Sequence, residues 1–297
     1  MKIEILDLQH RQTPGIVGAY LLRQGEHAVL VETGPASTLP RLERELAMRG
    51  LAVADLDAVL VTHVHLDHAG AAGWLAQRGV PIYCHPRAAR HLVDPSVLEA
   101  GAREIYGADF DAWWGPMVAA PADRVCVLED GESVSFGSLK VTALDTPGHA
   151  RHHHAFLAGD CCFTGDVAGV KIVESGYLSV ASAPPQFEPP ALLRSLRRIE
   201  ESGARRLMLT HYGEVTDVPG HLQAYASRVQ EVYEGVSTWV AAGRSAAEIV
   251  CSYREQERGL ALKGGVSEAD WERYETVNAT SMCADGIRMA VEKAARA

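Results

Sequence analysis

The ten residues VTHVHLDHAG, at 61–70, constrain this chain more than any other stretch, because they set His63, His65, Asp67 and His68 within six positions. At this chain's content of histidine and aspartate, chance produces H-x-H-x-D-H in roughly one such sequence in a thousand. The residues leading into it, DAVLVTH, are a short apolar run bounded by polar ones, the pattern of a buried strand ending at His63. The cluster therefore belongs on a loop at a strand's C-terminal end. The next helix, predicted over about 69–78, opens on Ala69, Gly70, Ala71, Ala72 and Gly73, whose small side chains let backbones approach closely. The implication is a buried, crowded polar loop. Histidines two apart on such a loop can aim at one metal ion, while Asp67 and His68 turn toward a neighbouring position.

Three later apolar strands end on residues of the same kind: His149 in DTPGHA, Asp166 in FTGDVAG and His211 in LTH. Together the seven residues supply five imidazoles and two carboxylates, enough for two divalent metal ions. Zinc is the first choice, with iron or manganese as alternatives. So many buried imidazoles without a cation would be costly. Two ions about 3.5–4 Å apart can share a hydroxide, bring its pKa toward ~7 and clamp an oxygen that develops charge. This is hydrolytic chemistry, and Asp67 is placed to accept the hydroxide's proton. Tyr177, in VESGYLSVASAPPQF, is a second catalytic candidate, able to reach a substrate carbonyl or ester oxygen.

Along the chain, strand character is predicted at 2–8, 17–23 and 27–32, then a helix over 38–49. Residues 86–120 read as helical pieces carrying Tyr106, Phe110, Trp113, Trp114 and Met117, either an insertion packing its own aromatics or a substrate-facing lid. Strands resume at 124–128, 132–136, 139–145, 153–158 and 161–164. An amphipathic helix at 189–201 leads to the strand RRLMLTH, and from 219 onward the pattern is helical. Residues 1–218 thus read as one α/β domain and 219–297 as a helical appendage docked on it.

Composition narrows the function. A net charge of -10 without a basic run repels polyanions, so nucleic acid is not expected as a partner. No apolar run reaches the ~18–20 residues of a membrane span, and MKIEILDLQH alternates like a strand rather than a signal peptide. The expectation is a cytoplasmic protein, free of membranes, acting on a small molecule, with a homodimer left open. The six cysteines lack C-x-x-C spacing and are read as small buried hydrophobes. His10, His27, His85, His91 and His221 match no motif and are read as structural or exposed.

In THVHLDH, TPGH, FTGD and LTH, in that order over about residues 1–215, the chain resembles the metallo-β-lactamase-fold superfamily. The resemblance implies a four-layer αβ/βα sandwich. It also implies that His63, His65 and His149 hold a first metal and Asp67, His68 and His211 a second, with Asp166 bridging them. The bridging aspartate favours the glyoxalase II-like and lactonase-like branches over true β-lactamases, hence an ester, thioester or lactone of a small, partly apolar metabolite. Alternatives are a persulfide-dioxygenase-like oxidoreductase with one iron, or a metal-dependent phosphodiesterase. Two departures stand out. Glu32 occupies the usual aspartate position before TG, and TPGHARHH replaces TPGHTxGH, putting His152 where the family has glycine and His153 in the last histidine's place.

Overall fold

The computed structural model describes residues 1–296. Its twelve strands form two six-stranded sheets, β1 to β6 and β7 to β12. In the first, β1 (Lys2–Asp7), β2 (Gly18–Gln24) and β3 (His27–Val31) pair antiparallel, whereas β3, β4 (Ala58–Leu60), β5 (Ile82–Cys84) and β6 (Val125–Val127) run parallel. Parallel neighbours need crossovers, and helices supply them. These are α1 (Leu39–Ala47) before β4, α2 (Leu66–Ala69) and α3 (Ala72–Ala76) before β5, and α4 (Pro86–Val93), α5 (Ser96–Tyr106) and α6 (Phe110–Trp113) before β6. Covered on both faces, β4 is wholly apolar and inaccessible, as the run before His63 predicts.

The second sheet begins with an antiparallel run of β7 (Ser133–Phe136), β8 (Leu139–Asp145), β9 (His154–Ala158) and β10 (Cys161–Gly165). After α7 (Pro189–Glu201) comes its hairpin of β11 (Arg206–Leu209) and β12 (Gly213–Val215). The chain then continues as α8 (Val218–Ala241), α9 (Ala246–Lys263), α10 (Glu268–Val277) and α11 (Thr280–Ala294). The expected class, α/β with C-terminal helices, is the one observed. No helix among the described residues is long and apolar enough to cross a membrane.

The residues group into two compact units. The first comprises 1–145 and 152–165, and the second comprises 146–151 and the described chain from Asp166 onward. The C-terminal helices thus share a unit with the His149 loop, Asp166 and the β11–β12 hairpin.

Three details differ from the expectations. The helix over 69–78 is divided into α2 and α3 at Ala71, whose φ -93° and ψ 1° leave the helical range, beside Gly70, where a side chain would sit 2.4 Å from the Leu66 carbonyl and 2.9 Å from Pro35 Cα. The three-residue strands β5 and β12 are too short to show a period. Among the cysteines, Cys251 is exposed and Cys126 half-buried, while the other four are buried as expected.

Candidate metal centre

In the first unit, β4 ends at Leu60 and the chain delivers Thr62, His63, His65, Asp67 and His68 onto the loop and the first turn of α2. His63 and His68 are fully buried. What they are bonded to fixes where their protons lie. The Thr62 hydroxyl donates to Glu32 Oε1 at 2.5 Å, so its oxygen must accept from His63 Nδ1–H at 3.0 Å. His68 Nδ1–H donates to the same Glu32 oxygen at 3.0 Å. In both rings Nε2 is then the nitrogen that carries the lone pair, as a metal-ligating histidine requires. His63 Nε2 lies 3.0 Å from His65 Nδ1, and His68 Nε2 lies 3.8 Å from Asp67 Oδ1, so the ligand-type atoms of this loop face one another.

Glu32 is the hub of this arrangement. It is completely buried, and its second oxygen accepts the Thr62 N–H at 3.3 Å. Its backbone is left-handed, φ 67°, a conformation that costs a non-glycine residue about 1–3 kcal/mol and persists where surrounding bonds over-determine it. The departure seen in the sequence is therefore the group that orients two proposed ligands. Replacing it with glutamine puts a donor where three donors converge. Glu32→Gln is expected to weaken metal binding about 10–100-fold, the effect typical of groups that orient ligands, with the fold retained. Competition with a chromophoric chelator measures this, and an unchanged affinity would show that Glu32 does not orient the histidines.

The rest of the TPGHARHH loop in this unit is also histidine-rich. His152 is buried with its ring centroid 6.3 Å from that of His63 and 5.9 Å from that of His65, and His153 lies 5.0 Å from His63. Gly165 of FTGD is needed here, since a Cβ would come within 2.5 Å of Thr62 Oγ1 and 2.7 Å of His153 Nε2, and its φ is +50°.

In the second unit, Asp166 offers one carboxylate oxygen to each of two imidazoles, Oδ2 to His149 Nε2 at 3.3 Å and Oδ1 to His211 Nε2 at 3.2 Å. All three residues are buried. His149 Nδ1–H donates to the Ala181 carbonyl at 3.0 Å, so Nε2 is the ring nitrogen turned toward Asp166. Two imidazole nitrogens converging on the two oxygens of one buried carboxylate are a donor set that suits a coordinated cation. Each unit thus holds a His/Asp cluster whose donor chemistry fits a metal ion.

A third cluster fails the same test. His85, Asp145 and His154 bring ligand atoms within 4.8 Å of one another in the first unit. Yet His85 Nδ1 accepts the Arg87 N–H at 2.9 Å, capping α4, so its Nε2 carries the proton and donates to Asp145 Oδ1 at 3.2 Å. Ligation would need the opposite tautomer, with Nδ1–H pointed at another N–H. His85 is structural, as its sequence suggests.

Tyr177 is buried in the second unit, its hydroxyl donating to Glu257 Oε2 at 2.9 Å, and burial pushes its pKa well up. Arg228 pairs with the same carboxylate at 2.6 and 2.8 Å. The hydroxyl is thus engaged in a helix-to-loop bond rather than presented to solvent. In the aromatic insertion, Phe110 and Met117 are buried in a small core with Leu66, the residue between His65 and Asp67, and Tyr106 and Trp114 pack against it. Trp113 lies half-buried beneath the Arg11 guanidinium, 3.7 Å from the ring centre. Sequence reasoning missed Thr62, Ala181 and the residues of α8 described below. Only Thr62, adjacent to His63, had a signal there to find.

Comparison with known proteins places these features in context. The profile of the Metallo-beta-lactamase superfamily matches residues 12–211. The chain is 25% identical to the Metallo-beta-lactamase fold-containing protein ST1585 of Sulfurisphaera tokodaii over 207 residues, 68% of this chain and 75% of that protein. The crystal structure of ST1585 from Sulfolobus tokodaii superposes with a TM-score of 0.68 at 19% identity, covering 96% of this chain and 98% of that one, a likeness that bears on fold alone. A Hydroxyacylglutathione hydrolase of Aeromonas hydrophila is 29% identical over 147 residues, 50% of this chain and 44% of that enzyme. The Acyl-coenzyme A thioesterase MBLAC2 of Bos taurus is 27% identical over 168 residues, 50% of this chain and 57% of that enzyme. This chain therefore spans about half the length of those two relatives.

Proposed function

The chain belongs to the metallo-beta-lactamase superfamily, and from that premise we propose that it is a dinuclear metal-dependent hydrolase cleaving an ester, thioester or lactone of a small, partly apolar metabolite. Among these bonds we favour the thioester, because named relatives include an acyl-coenzyme A thioesterase and an ACP thioesterase of Aspergillus fumigatus. His63, His65 and His149 would hold one ion and Asp67, His68 and His211 the other, with Asp166 shared. When bound, such cations supply Lewis acidity for a carbonyl oxygen and a water that ionises near neutral pH.

The observation that carries the reading is the orientation of His63, His68 and His149. Each sets Nδ1 against a fixed oxygen and turns Nε2 toward a ligand-type site. The chain's own groups hold these rings before any substrate arrives, so the orientation costs nothing during reaction. Asp67, intermediate in exposure beside His68, is the carboxylate we assign to take and pass on a proton. Tyr177, engaged with Glu257, would act through the shape of its loop rather than by touching substrate.

The test combines metal analysis with a panel of acyl-thioesters, lactones, esters and phosphodiesters. Two zinc, iron or manganese ions per chain and preferential thioester hydrolysis are expected. One iron per chain with oxygen uptake would replace the proposal with an oxidoreductase, and selective cleavage of phosphodiesters would move the bond class.

A further inference from the structure

The helix α8 follows the last proposed ligand by only a few residues, and two of its side chains reach back into the loop that begins at Asp166. Tyr225 is fully buried, and its hydroxyl accepts the Ala181 N–H at 3.3 Å. The carbonyl of that same Ala181 accepts His149 Nδ1–H at 3.0 Å. The Tyr225 ring also lies against the backbone at Gly169, three residues past Asp166. A Cβ at Gly169 would come within 2.3 Å of the ring's Cε2, so the contact is backbone on ring face or edge with no room for a side chain. One turn earlier, and therefore on the same helix face, His221 Nε2–H donates to the Ala168 carbonyl at 2.9 Å. Burial lowers the pKa of His221, which keeps it a neutral donor.

The loop between these anchor points is closed on itself. Val170 and Ser179 form an antiparallel bridge, and Asn278 donates to Ser179 Oγ at 2.9 Å and to the Val180 carbonyl at 3.1 Å. Lys171 N–H donates to the His211 carbonyl at 2.6 Å. His149 through its ring, Asp166 as its first residue and His211 through its carbonyl are thus each joined to one looped segment, 166–182, and α8 grips that segment near both ends.

We propose that Tyr225 and His221 are positioning residues for the metal ligands of the second unit, with Tyr225 acting on His149 through Ala181 and His221 acting on Asp166 through Ala168. The inference rests on the metal-centre reading above. The C-terminal helices then set the imidazole tautomer and carboxylate orientation, rather than serving as a passive appendage. The Ala181 N–H lies in the 180–181 peptide and its carbonyl in the next one, so loss of the Tyr225 hydroxyl acts on the carbonyl that holds His149 by loosening the Ala181 backbone dihedrals between the two.

The experiment uses the full chain with Zn²⁺ and Co²⁺ as probes. Zn²⁺ affinity is read by chelator competition, Co²⁺ coordination by its visible d–d bands, and stability by melting of the metal-stripped protein. Tyr225→Phe is expected to weaken binding of one or both ions about tenfold, the lower end of the range for groups that orient ligands, and to shift the Co²⁺ bands. The control is Val236→Ala, a buried position farther along the same helix, expected to lower melting while leaving affinity and spectrum intact. Should Tyr225→Phe not fold, His221→Leu asks the same question at Ala168. If the folded variant matches the control in affinity and spectrum, the positioning role is overturned while the metal centre stands. If the wild-type chain binds neither ion, both readings fall.

Discussion

His63→Ala is expected to abolish turnover while the protein remains folded. The imidazole is fully buried, its Nδ1–H is held by Thr62, and its Nε2 meets His65 Nδ1 at 3.0 Å, so alanine removes a ligand nitrogen from the middle of the cluster. Removing a direct ligand should cost more than the roughly 10–100-fold that follows loss of a group merely orienting one. The Thr62 hydroxyl keeps its bond to Glu32, which limits the structural damage to one lost hydrogen bond, about 1 kcal/mol, and a small cavity. The measurements are turnover, metal content and circular dichroism on one preparation. Full activity in a folded variant would remove His63 from the centre.

The second large effect is on stability and lies in the helices. Glu257 is completely buried on α9 and receives Arg228 from α8 together with the Tyr177 hydroxyl. Removing the carboxylate leaves the buried Tyr177 hydroxyl without its acceptor and Arg228 with only its exposed partner Glu231, at a cost toward the lower end of the about 3–5 kcal/mol that follows breaking a buried pair from one side. Glu257→Ala should therefore lower the melting temperature of the metal-stripped protein by many degrees. Glu257→Gln, which keeps an acceptor for Tyr177 and a neutral partner for Arg228, should fall between the two. The pair adds less than its bonds suggest, because Arg228 and Glu257 both leave water to form it. A melting temperature for Glu257→Ala within a degree of wild type would show that the helices do not depend on this network.

The sequence carried the ligand set because ligation restricts residue type. Few side chains other than histidine and aspartate present a lone pair at the right reach, so H-x-H-x-D-H and three later strand-end residues are visible without coordinates. It carried most of the regular structure for a similar reason: burial imposes a pattern, an unbroken apolar run in β4 and a helical period in α7 and the C-terminal helices. The three-residue strands β5 and β12 passed unread, and so did the break at Ala71 between α2 and α3.

The role of each ring nitrogen was not legible in the sequence, because it depends on what stands beside each Nδ1; Thr62 adjoins His63, but the groups that settle its role and those of His68 and His149 come from distant positions. Glu32, thirty residues before Thr62, fixes two imidazoles, and the Ala181 carbonyl, thirty-two residues after His149, fixes a third. A peptide carbonyl has no residue-type signature, and any residue can supply it. The same limit hid Tyr225 and His221, whose roles arise from α8 folding back over a segment some forty to fifty residues earlier. Residue chemistry determined which atoms can bind a metal. Tertiary structure decided which nitrogen of each ring bears the lone pair, because that choice is made by hydrogen-bond partners brought together only when the chain folds.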